Sequence, residues 1–156
     1  MAATHIGQDL SGKTVIVTGG GRGLGLTISQ GFAAAGAKVA LVGRTVETLD
    51  TAVEAIRTEG GIAHAFAADV ANEESVVAMC SDVLALWGKI DVLVNNAGIN
   101  PWYKRPEDTE LSEWQQIIDV NLTGVFLACK HAGRAMLAAG EGAIINITSV
   151  GGRVAL

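Results

Sequence analysis

The glycines of Thr18-Gly19-Gly20-Gly21-Arg22-Gly23-Leu24-Gly25 are the residues whose type and spacing point most directly to chemistry. This glycine loop follows a short β-branched run, residues 14–17, and precedes apolar residues at helical spacing. A strand, a glycine turn and a helix in this order favour phosphate binding. The reason is that glycines let the backbone approach an anion closely, and a helix N-terminus offers free N–H groups. The alternative is a merely flexible turn, which the flanking elements disfavour.

Four further polar or glycine clusters each come at the end of an apolar run. They are Gly43-Arg44, Asp69-Val70, Asn95-Asn96-Ala97-Gly98 and Ser149. In open parallel sheets, ligands bind beyond the carboxyl ends of the strands. The sequence therefore predicts that these clusters and the glycine loop line one nucleotide crevice.

Five apolar runs read as the strands that carry these clusters: residues 14–18, 38–42, 62–67, 90–94 and 143–148. Helical patterns separate them, and the runs do not alternate in polarity. Apolar strands that alternate with helices predict an α/β fold, a doubly wound parallel sheet of the Rossmann type covered by helices on both faces.

Helix termini are also readable. Asn72 is a predicted N-cap, and Ser112 with Gln115 reads as a capping box that opens a long helix reaching about residue 138. Cys80 and Cys129 fall within apolar helical patterns, so we expect buried, reduced thiols rather than a disulfide or a nucleophile.

Composition limits the function classes. The 156 residues are 49% hydrophobic and 17% charged, with a net charge of −5 and no Lys/Arg cluster, which disfavours nucleic acid and anionic membranes as partners. Charges interrupt the longest apolar region, and residues 1–13 lack the apolar run of a signal peptide. We expect a single cytoplasmic domain with no metal site.

Taken together, these motifs resemble the short-chain dehydrogenase/reductase family in its classical branch, over essentially the whole chain. The resemblance rests on Thr-Gly-x-x-x-Gly-x-Gly at residues 18–25 and on Asn-Asn-Ala-Gly at residues 95–98. It also rests on Asn121 within the long helix and on Ser149 after the fifth strand.

The resemblance implies a set of nucleotide-binding residues. Asp69 would hydrogen-bond the adenine with the Val70 backbone beside it, Asn96 and Ala97 would line the ribose and nicotinamide side, and Asn95 would hold neighbouring strands. For Asp69, a turn or capping role is the alternative. The glycine-loop residues assigned to the cofactor are Gly19, Gly21, Arg22, Gly23, Leu24 and Gly25.

NADP is the cofactor that the sequence favours over NAD. NAD-binding folds usually place an acid about 20 residues beyond the glycine loop, on the ribose 2′-hydroxyl. Here the second strand ends in Gly43-Arg44, with no acid before Glu47. Arg44 and Arg22 would instead pair with a 2′-phosphate, unless both are ordinary solvated arginines.

The family's reaction moves a hydride between nicotinamide and a carbonyl or alcohol carbon. The resemblance gives Ser149 the role of orienting the substrate oxygen and Asn121 a role in a water-mediated proton relay. Alternatively, Ser149 is a plain loop hydroxyl and Asn121 a buried polar group that kinks its helix. The family's Tyr-x-x-x-Lys pair is absent, because Tyr103 is the only tyrosine. We therefore expect the 156 residues to be inactive alone and to be the cofactor-binding part of a domain that is incomplete at its C-terminus.

Two other functions stay open: a catalytically inactive nucleotide-binding or subunit-interaction module, and a non-redox doubly wound enzyme such as an epimerase or methyltransferase. The resemblance implies a small carbonyl or alcohol compound as the substrate. The loop of residues 100–105 hints at a sugar acid or keto acid, or merely packs its Trp. Family resemblance implies a homodimer or homotetramer formed through the long helix.

Overall fold

The computed structural model describes residues 9–149, and they form a five-stranded parallel sheet between two layers of helices. In chain order the elements are β1 (Thr14–Thr18), α1 (Gly23–Ala34), β2 (Lys38–Gly43), α2 (Val46–Thr58), β3 (Ile62–Ala67), α3 (Glu73–Trp87), β4 (Val92–Asn95), a 3₁₀ turn (Pro106–Asp108), α4 (Leu111–Ile118), a π-helical segment (Asp119–Thr123), α5 (Gly124–Ala139) and β5 (Ala143–Asn146).

The strand order is β3-β2-β1-β4-β5, and every pairing is parallel. The chain moves outward from β1 to one edge, then crosses to β4 on the other side. This reversal opens a crevice beyond the carboxyl ends of β1 and β4. The prediction of a doubly wound parallel sheet is confirmed.

Alternate residues of each strand face opposite helical layers. Along β1, Ile16 packs with α3 and α5, whereas Val15 and Val17 pack with α1 and α2. All three side chains are fully buried. Because both faces are covered, the strands carry no polar alternation, and this burial supplies the main stabilisation of the sheet.

The predicted capping box at Ser112 and Gln115 was wrong. The N-cap of α4 is Glu110, two residues before Ser112, and Glu110 and Glu113 form the box. The Glu113 carboxylate accepts the Glu110 amide at 3.0 Å, and the Glu110 side chain accepts the Glu113 amide. Glutamate oxygens reach the same orphan amides as a serine does, so they displaced the expected pair.

The long helix predicted for residues 112–138 is present as an unbroken run of helical residues from Leu111 to Ala139, but it is not α-helical throughout. It divides into α4, the π-helical segment and α5. Hydrophobic spacing does not reveal one wider turn within a helix, because the apolar stripe continues through it. The fourth strand is Val92–Asn95 rather than residues 90–94, and the fifth ends at Asn146 rather than residue 148.

Candidate functional site

A cleft of about 440 Å³ lies at the carboxyl ends of β1, β2, β3 and β4. Its lining includes all eleven residues that the sequence assigned to a nucleotide: Gly19, Gly21, Arg22, Gly23, Leu24, Gly25, Arg44, Asp69, Val70, Asn96 and Ala97. The described residues Asn121 and Ser149 do not line it. The volume lies in the range of small-molecule and cofactor pockets.

The glycine loop approaches the neighbouring backbone too closely for side chains. Gly19 has a φ of 66°, and a Cβ there would lie 3.0 Å from Asn96 Nδ2. A Cβ at Gly25 would lie 2.5 Å from the same nitrogen and would collide with the Gly19 carbonyl. Glycine is therefore required at both positions, and the start of α1 is held against β1 and the loop after β4.

The N-terminus of α1 is open to an anion. Arg22 is its N-cap residue, but its side chain makes no capping hydrogen bond, and the first turn carries no acid. The first amides of the helix and the positive end of its dipole therefore lie beside the cleft, and no side chain of the described residues accepts from these amides. A pyrophosphate is the kind of ligand that such a helix end binds.

Sequence reasoning assigned no role to Thr18, whose buried hydroxyl joins β1 to the loop after β4. Thr18 Oγ1 accepts the backbone amides of Asn96 and Ala97, each at 3.0 Å, and donates to the Val94 carbonyl at 3.3 Å. The hydroxyl thus satisfies two amides that would otherwise lack partners. A polar residue at the last position of an apolar strand was the available signal.

Asn96 lines the cleft, but its side chain turns toward the protein. Nδ2 donates to the carbonyls of Thr18 at 3.0 Å and Gly19 at 3.3 Å. The amide therefore fixes the glycine loop, and the surface of the cleft here is formed by the loop that Asn96 holds in place.

Arg22 and Arg44 are the cations of the cleft, and both are exposed. Within residues 9–149 neither guanidinium takes part in a hydrogen bond or an ion pair. Asp69 is the single carboxylate among the lining residues. In a chain of net charge −5, the cleft thus has a local excess of positive charge. Such an excess attracts anions.

Asp69 forms the turn that leads into α3. Its Oδ1 accepts the Ala71 amide at 3.0 Å, and its own amide donates to Ser75 Oγ at 3.0 Å. Asn72 Oδ1 caps the helix by accepting the Ser75 amide at 2.8 Å, so the predicted N-cap is confirmed. The turn holds one oxygen of Asp69, and the adenine contact stays a prediction.

Asn121 lies in the π-helical segment and is exposed rather than buried. Its Oδ1 accepts the Ile99 amide and its Nδ2 donates to the Ile99 carbonyl, both at 2.8 Å. This two-way clamp holds the chain as it leaves β4, and Ile99 itself lines the cleft. Asn121 thus reaches the site through Ile99.

Ser149 is exposed and lies three residues beyond β5, whose last residue, Asn146, pairs with Asn95 at the end of β4. Asn95 ties the two strands together: its carbonyl accepts the Ile147 amide at 2.9 Å, and its Nδ2 donates to Asn146 Oδ1 at 2.9 Å. The same amide nitrogen lies 3.2 Å from Cys129 Sγ. Asn95 therefore holds neighbouring strands through its side chain as well as its backbone.

The two cysteines are unpaired thiols. Burial raises the pKa of Cys80 to about 11, which keeps it protonated and unreactive at neutral pH. Cys129 is only half-buried, contrary to the expectation of a buried thiol. No cluster of three or more possible metal ligands occurs in the described part of the chain, and none of its helices is long and apolar enough to cross a membrane.

Known proteins are similar to this chain in both sequence and fold. The family described as short chain dehydrogenase matches residues 13–156. D-threitol dehydrogenase of Mycolicibacterium smegmatis is 38% identical over 147 residues, which are 94% of this chain and 56% of that protein. The 3beta-hydroxysteroid dehydrogenase 1 of Eggerthella lenta is 43% identical over 150 residues, 92% of this chain and 55% of that protein.

A solved structure of a related protein has the same fold. A metagenomic short-chain oxidoreductase crystallised in complex with NADP superimposes with a TM-score of 0.90 at 37% identity, covering 96% of this chain and 67% of that one. The chain spans about half the length of the curated relatives it matches, as the shares of 56% and 55% show.

Proposed function

Because the chain belongs to the short-chain dehydrogenase/reductase family, we propose that it is the nucleotide-binding part of an NADP-dependent oxidoreductase that acts on a carbonyl or alcohol substrate. One observation carries the proposal: a single cleft collects the glycine loop, the open end of α1 and two guanidinium groups that have no partner among residues 9–149. When bound, the cofactor supplies or accepts a hydride at its nicotinamide ring.

Each part of the cleft has a role toward the cofactor. The amides at the start of α1 hold the pyrophosphate, Asp69 and Val70 hold the adenine, and Ala97 borders the nicotinamide side. Asn96 acts indirectly, since its amide keeps the glycine loop in place. The residues present therefore fit a dinucleotide.

Arg44 and Arg22 select the phosphorylated cofactor. A 2′-phosphate is a strong acceptor, and a guanidinium with no other partner binds it without first breaking an ion pair. Arg44 follows the end of β2, where NAD-binding folds usually carry a carboxylate for the ribose 2′-hydroxyl. The missing carboxylate removes a repulsion, and the arginine adds an attraction.

Ser149 and Asn121 belong to the substrate side of the proposed site. Ser149 follows β5 beside the end of β4, where its hydroxyl orients the substrate oxygen. Asn121 holds Ile99, and its position after α4 fits the part that the family gives this residue in proton transfer. We assign the general acid and base to a tyrosine and lysine that the 156-residue sequence does not contain.

The proposal includes self-association through the α4–π–α5 region. Five large apolar side chains there are between 55% and 85% exposed: Leu111, Trp114, Leu122, Phe126 and Leu137. An apolar surface of this kind marks an interaction site, and a second copy of the chain is the partner we propose, as a homodimer or homotetramer.

A cytoplasmic setting is part of the proposal, since both cysteines are unpaired thiols.

Fluorescence titration with NADPH and NADH tests the cofactor assignment. We expect NADPH to bind at least about tenfold more tightly, and Arg44→Ala to remove most of that preference while changing NADH affinity by about twofold or less. Arg134→Ala is the matched control, because Arg134 is exposed on α5 and does not line the cleft.

Failure to bind either nucleotide would contradict the proposal as a whole. Equal affinity for the two nucleotides would remove only the role of the arginines. Binding by the complete protein, without turnover of any carbonyl or alcohol, would favour an inactive nucleotide-binding module instead.

A further inference from the structure

The 12-residue stretch from Ile99 to Glu110, here called the entrance segment, connects β4 to α4. Its only regular structure is the 3₁₀ turn Pro106–Asp108. Ile99 lines the cleft, and the segment leaves the sheet where β4 lies beside β5 and the approach to Ser149. Neighbouring strands are about 5 Å apart, so the start of this segment lies near the approach to Ser149, and the proposed function places the substrate beside it.

Two side chains of one helical stretch hold the entrance segment. Asn121 binds both the amide and the carbonyl of Ile99, at its first residue. Glu113 holds the far part: Oε1 accepts Lys104 Nζ at 2.5 Å, and Oε2 accepts the Glu110 amide at 3.0 Å. The segment is therefore fixed near its start, in its middle and at its end.

Glu113 is unusual for an acid on a short helix, because its side chain is only 15% exposed while that of Lys104 is 38% exposed. The Lys104 ammonium, followed by the Glu110 amide, holds the pKa of Glu113 below its ordinary value. The carboxylate is therefore charged throughout the neutral range, and the ion pair persists there.

Fixing Lys104 divides the loop into shorter spans. Only four residues, 100–103, lie between the two anchors at Ile99 and Lys104. Within this span Trp102 is half-buried, whereas the Tyr103 side chain is 95% exposed. A short anchored span samples fewer conformations than a free 12-residue loop, so less entropy is lost when a substrate orders it.

Helix capping alone does not explain Glu113. The cap uses Oε2, whereas the contact with Lys104 uses Oε1. A partly exposed ion pair contributes little to global stability, usually less than about 1 kcal/mol. Its main effect is then local, on the conformation of the segment that carries Lys104.

We propose that Glu113 is a positioning residue that acts through Lys104 to hold the entrance segment in one conformation and so lowers the substrate concentration needed for turnover. The effect on turnover rests on the proposed function, whereas the effect on the segment does not. Glu113 itself does not line the cleft.

Chymotrypsin cleavage after Trp102 and Tyr103 measures how readily the segment opens. We expect Glu113→Gln and Lys104→Met each to speed this cleavage about tenfold, because cleavage follows local opening. The double variant should be no faster than either single one, since both lose the same contact. The charge-exchanged pair Lys104→Glu with Glu113→Lys should return the rate to within about threefold of the wild type.

Glu107→Gln is the matched control. Glu107 lies in the same segment, but its only described ion-pair contact is with Arg105 at 4.0 Å, and its side chain is 67% exposed. Cleavage of Glu113→Gln at the wild-type rate, or additive effects of the two single changes, would overturn the proposal.

Two further measurements separate this proposal from the cofactor assignment. NADPH affinity should change by less than about twofold in Glu113→Gln, because the cleft residues are untouched. Absence of NADPH binding in the wild type would defeat the proposed function and leave the cleavage result standing. In the complete enzyme, Glu113→Gln should raise the KM for a carbonyl compound that the wild type reduces by about fivefold, and kcat should stay constant. An unchanged KM together with faster cleavage would overturn the effect on turnover.

Discussion

At the scale of single residues, the site depends on side chains that bind backbone rather than ligand. Thr18 joins β1 to the loop after β4, Asn96 holds the glycine loop, and Asn121 clamps Ile99. Each of these groups satisfies backbone polar atoms that a parallel sheet leaves unpaired at its carboxyl edge. The shape of the cleft therefore depends on residues that need never touch the nucleotide.

Replacing Thr18 by Val tests this dependence, since valine keeps the shape and removes the hydroxyl. The amides of Asn96 and Ala97 lose their acceptor, so we expect the free energy of unfolding to fall by about 2–4 kcal/mol and NADPH to bind more weakly. Urea denaturation followed by circular dichroism measures the first effect. Thr18→Ser, which keeps the hydroxyl, should stay within about 1 kcal/mol of the wild type. Equal stability of the Val and Ser variants would show that the hydroxyl is dispensable.

At the scale of elements, Asp91, just before β4, holds the amino ends of the central strands, at the end of the sheet opposite the cleft. Its Oδ2 accepts the Thr14 amide at 2.7 Å, and its Oδ1 accepts Lys13 Nζ at 2.9 Å and Lys89 Nζ at 3.0 Å. Burial is the largest single influence and would raise the pKa of Asp91. The Thr14 amide and the two ammonium groups together outweigh it, so the pKa lies below its ordinary value.

This lowered pKa predicts a pH dependence of stability. The contribution of Asp91 is complete above the pKa of an unfolded Asp, about 3.9, and it is lost as the pH falls through the lower pKa of the folded state. We expect Asp91→Asn to lower the free energy of unfolding by about 1–3 kcal/mol at pH 7 and to reduce its loss below about pH 4. Urea denaturation between pH 2.5 and about 7 measures both effects.

Asp82→Asn provides the control, because Asp82 is exposed on α3 and has no described hydrogen bond or ion pair. Its stability should follow the wild type at every pH. An Asp91→Asn variant with the wild-type slope below pH 4 would refute the assignment, since the acid-linked loss would then come from other groups.

At the scale of the whole molecule, the sheet is covered on both faces, whereas part of the helical layer exposes large apolar side chains. The sheet is buried by α1 and α2 on one face and by α3 and α5 on the other. The outer surface of the α4–π–α5 region carries large exposed apolar side chains, among them Leu122 at 63% and Phe126 at 60%. Because this surface exposes apolar area in several adjacent turns, we expect it to be covered in the assembled protein.

Sedimentation velocity tests this expectation with the double variant Leu122→Glu and Phe126→Glu. If a second copy covers the surface, two buried carboxylates would each need desolvation, so association should weaken by at least about a hundredfold and the protein should shift toward monomer. Val77→Glu is the control, since Val77 is 41% exposed on α3. A wild type that is monomeric at micromolar concentration, or a double variant that associates like the wild type, would refute the proposed interface.

Much of the fold was predictable from local patterns. The strands at residues 14–18 and 62–67 were predicted with their observed bounds, because β-branched and apolar runs bounded by glycine and polar residues have few other uses. The prediction wrongly included Ile90 in the fourth strand and extended the fifth strand beyond Asn146. These bounds were misplaced by one or two residues, since pairing with the neighbouring strand decides where a ladder stops.

The sequence by itself determined which residues could meet at the cleft, because parallel strands place all their carboxyl ends at one edge whatever their order. It also determined the sign of the charge there, since arginines replaced the acid at the end of the second strand. Only the tertiary structure decided which polar side chains face the cleft and which form hydrogen bonds with backbone groups. Asn96 and Asn121 turn to carbonyls and amides of distant segments, and contacts between residues 77 or 22 positions apart leave no periodic signal along the chain.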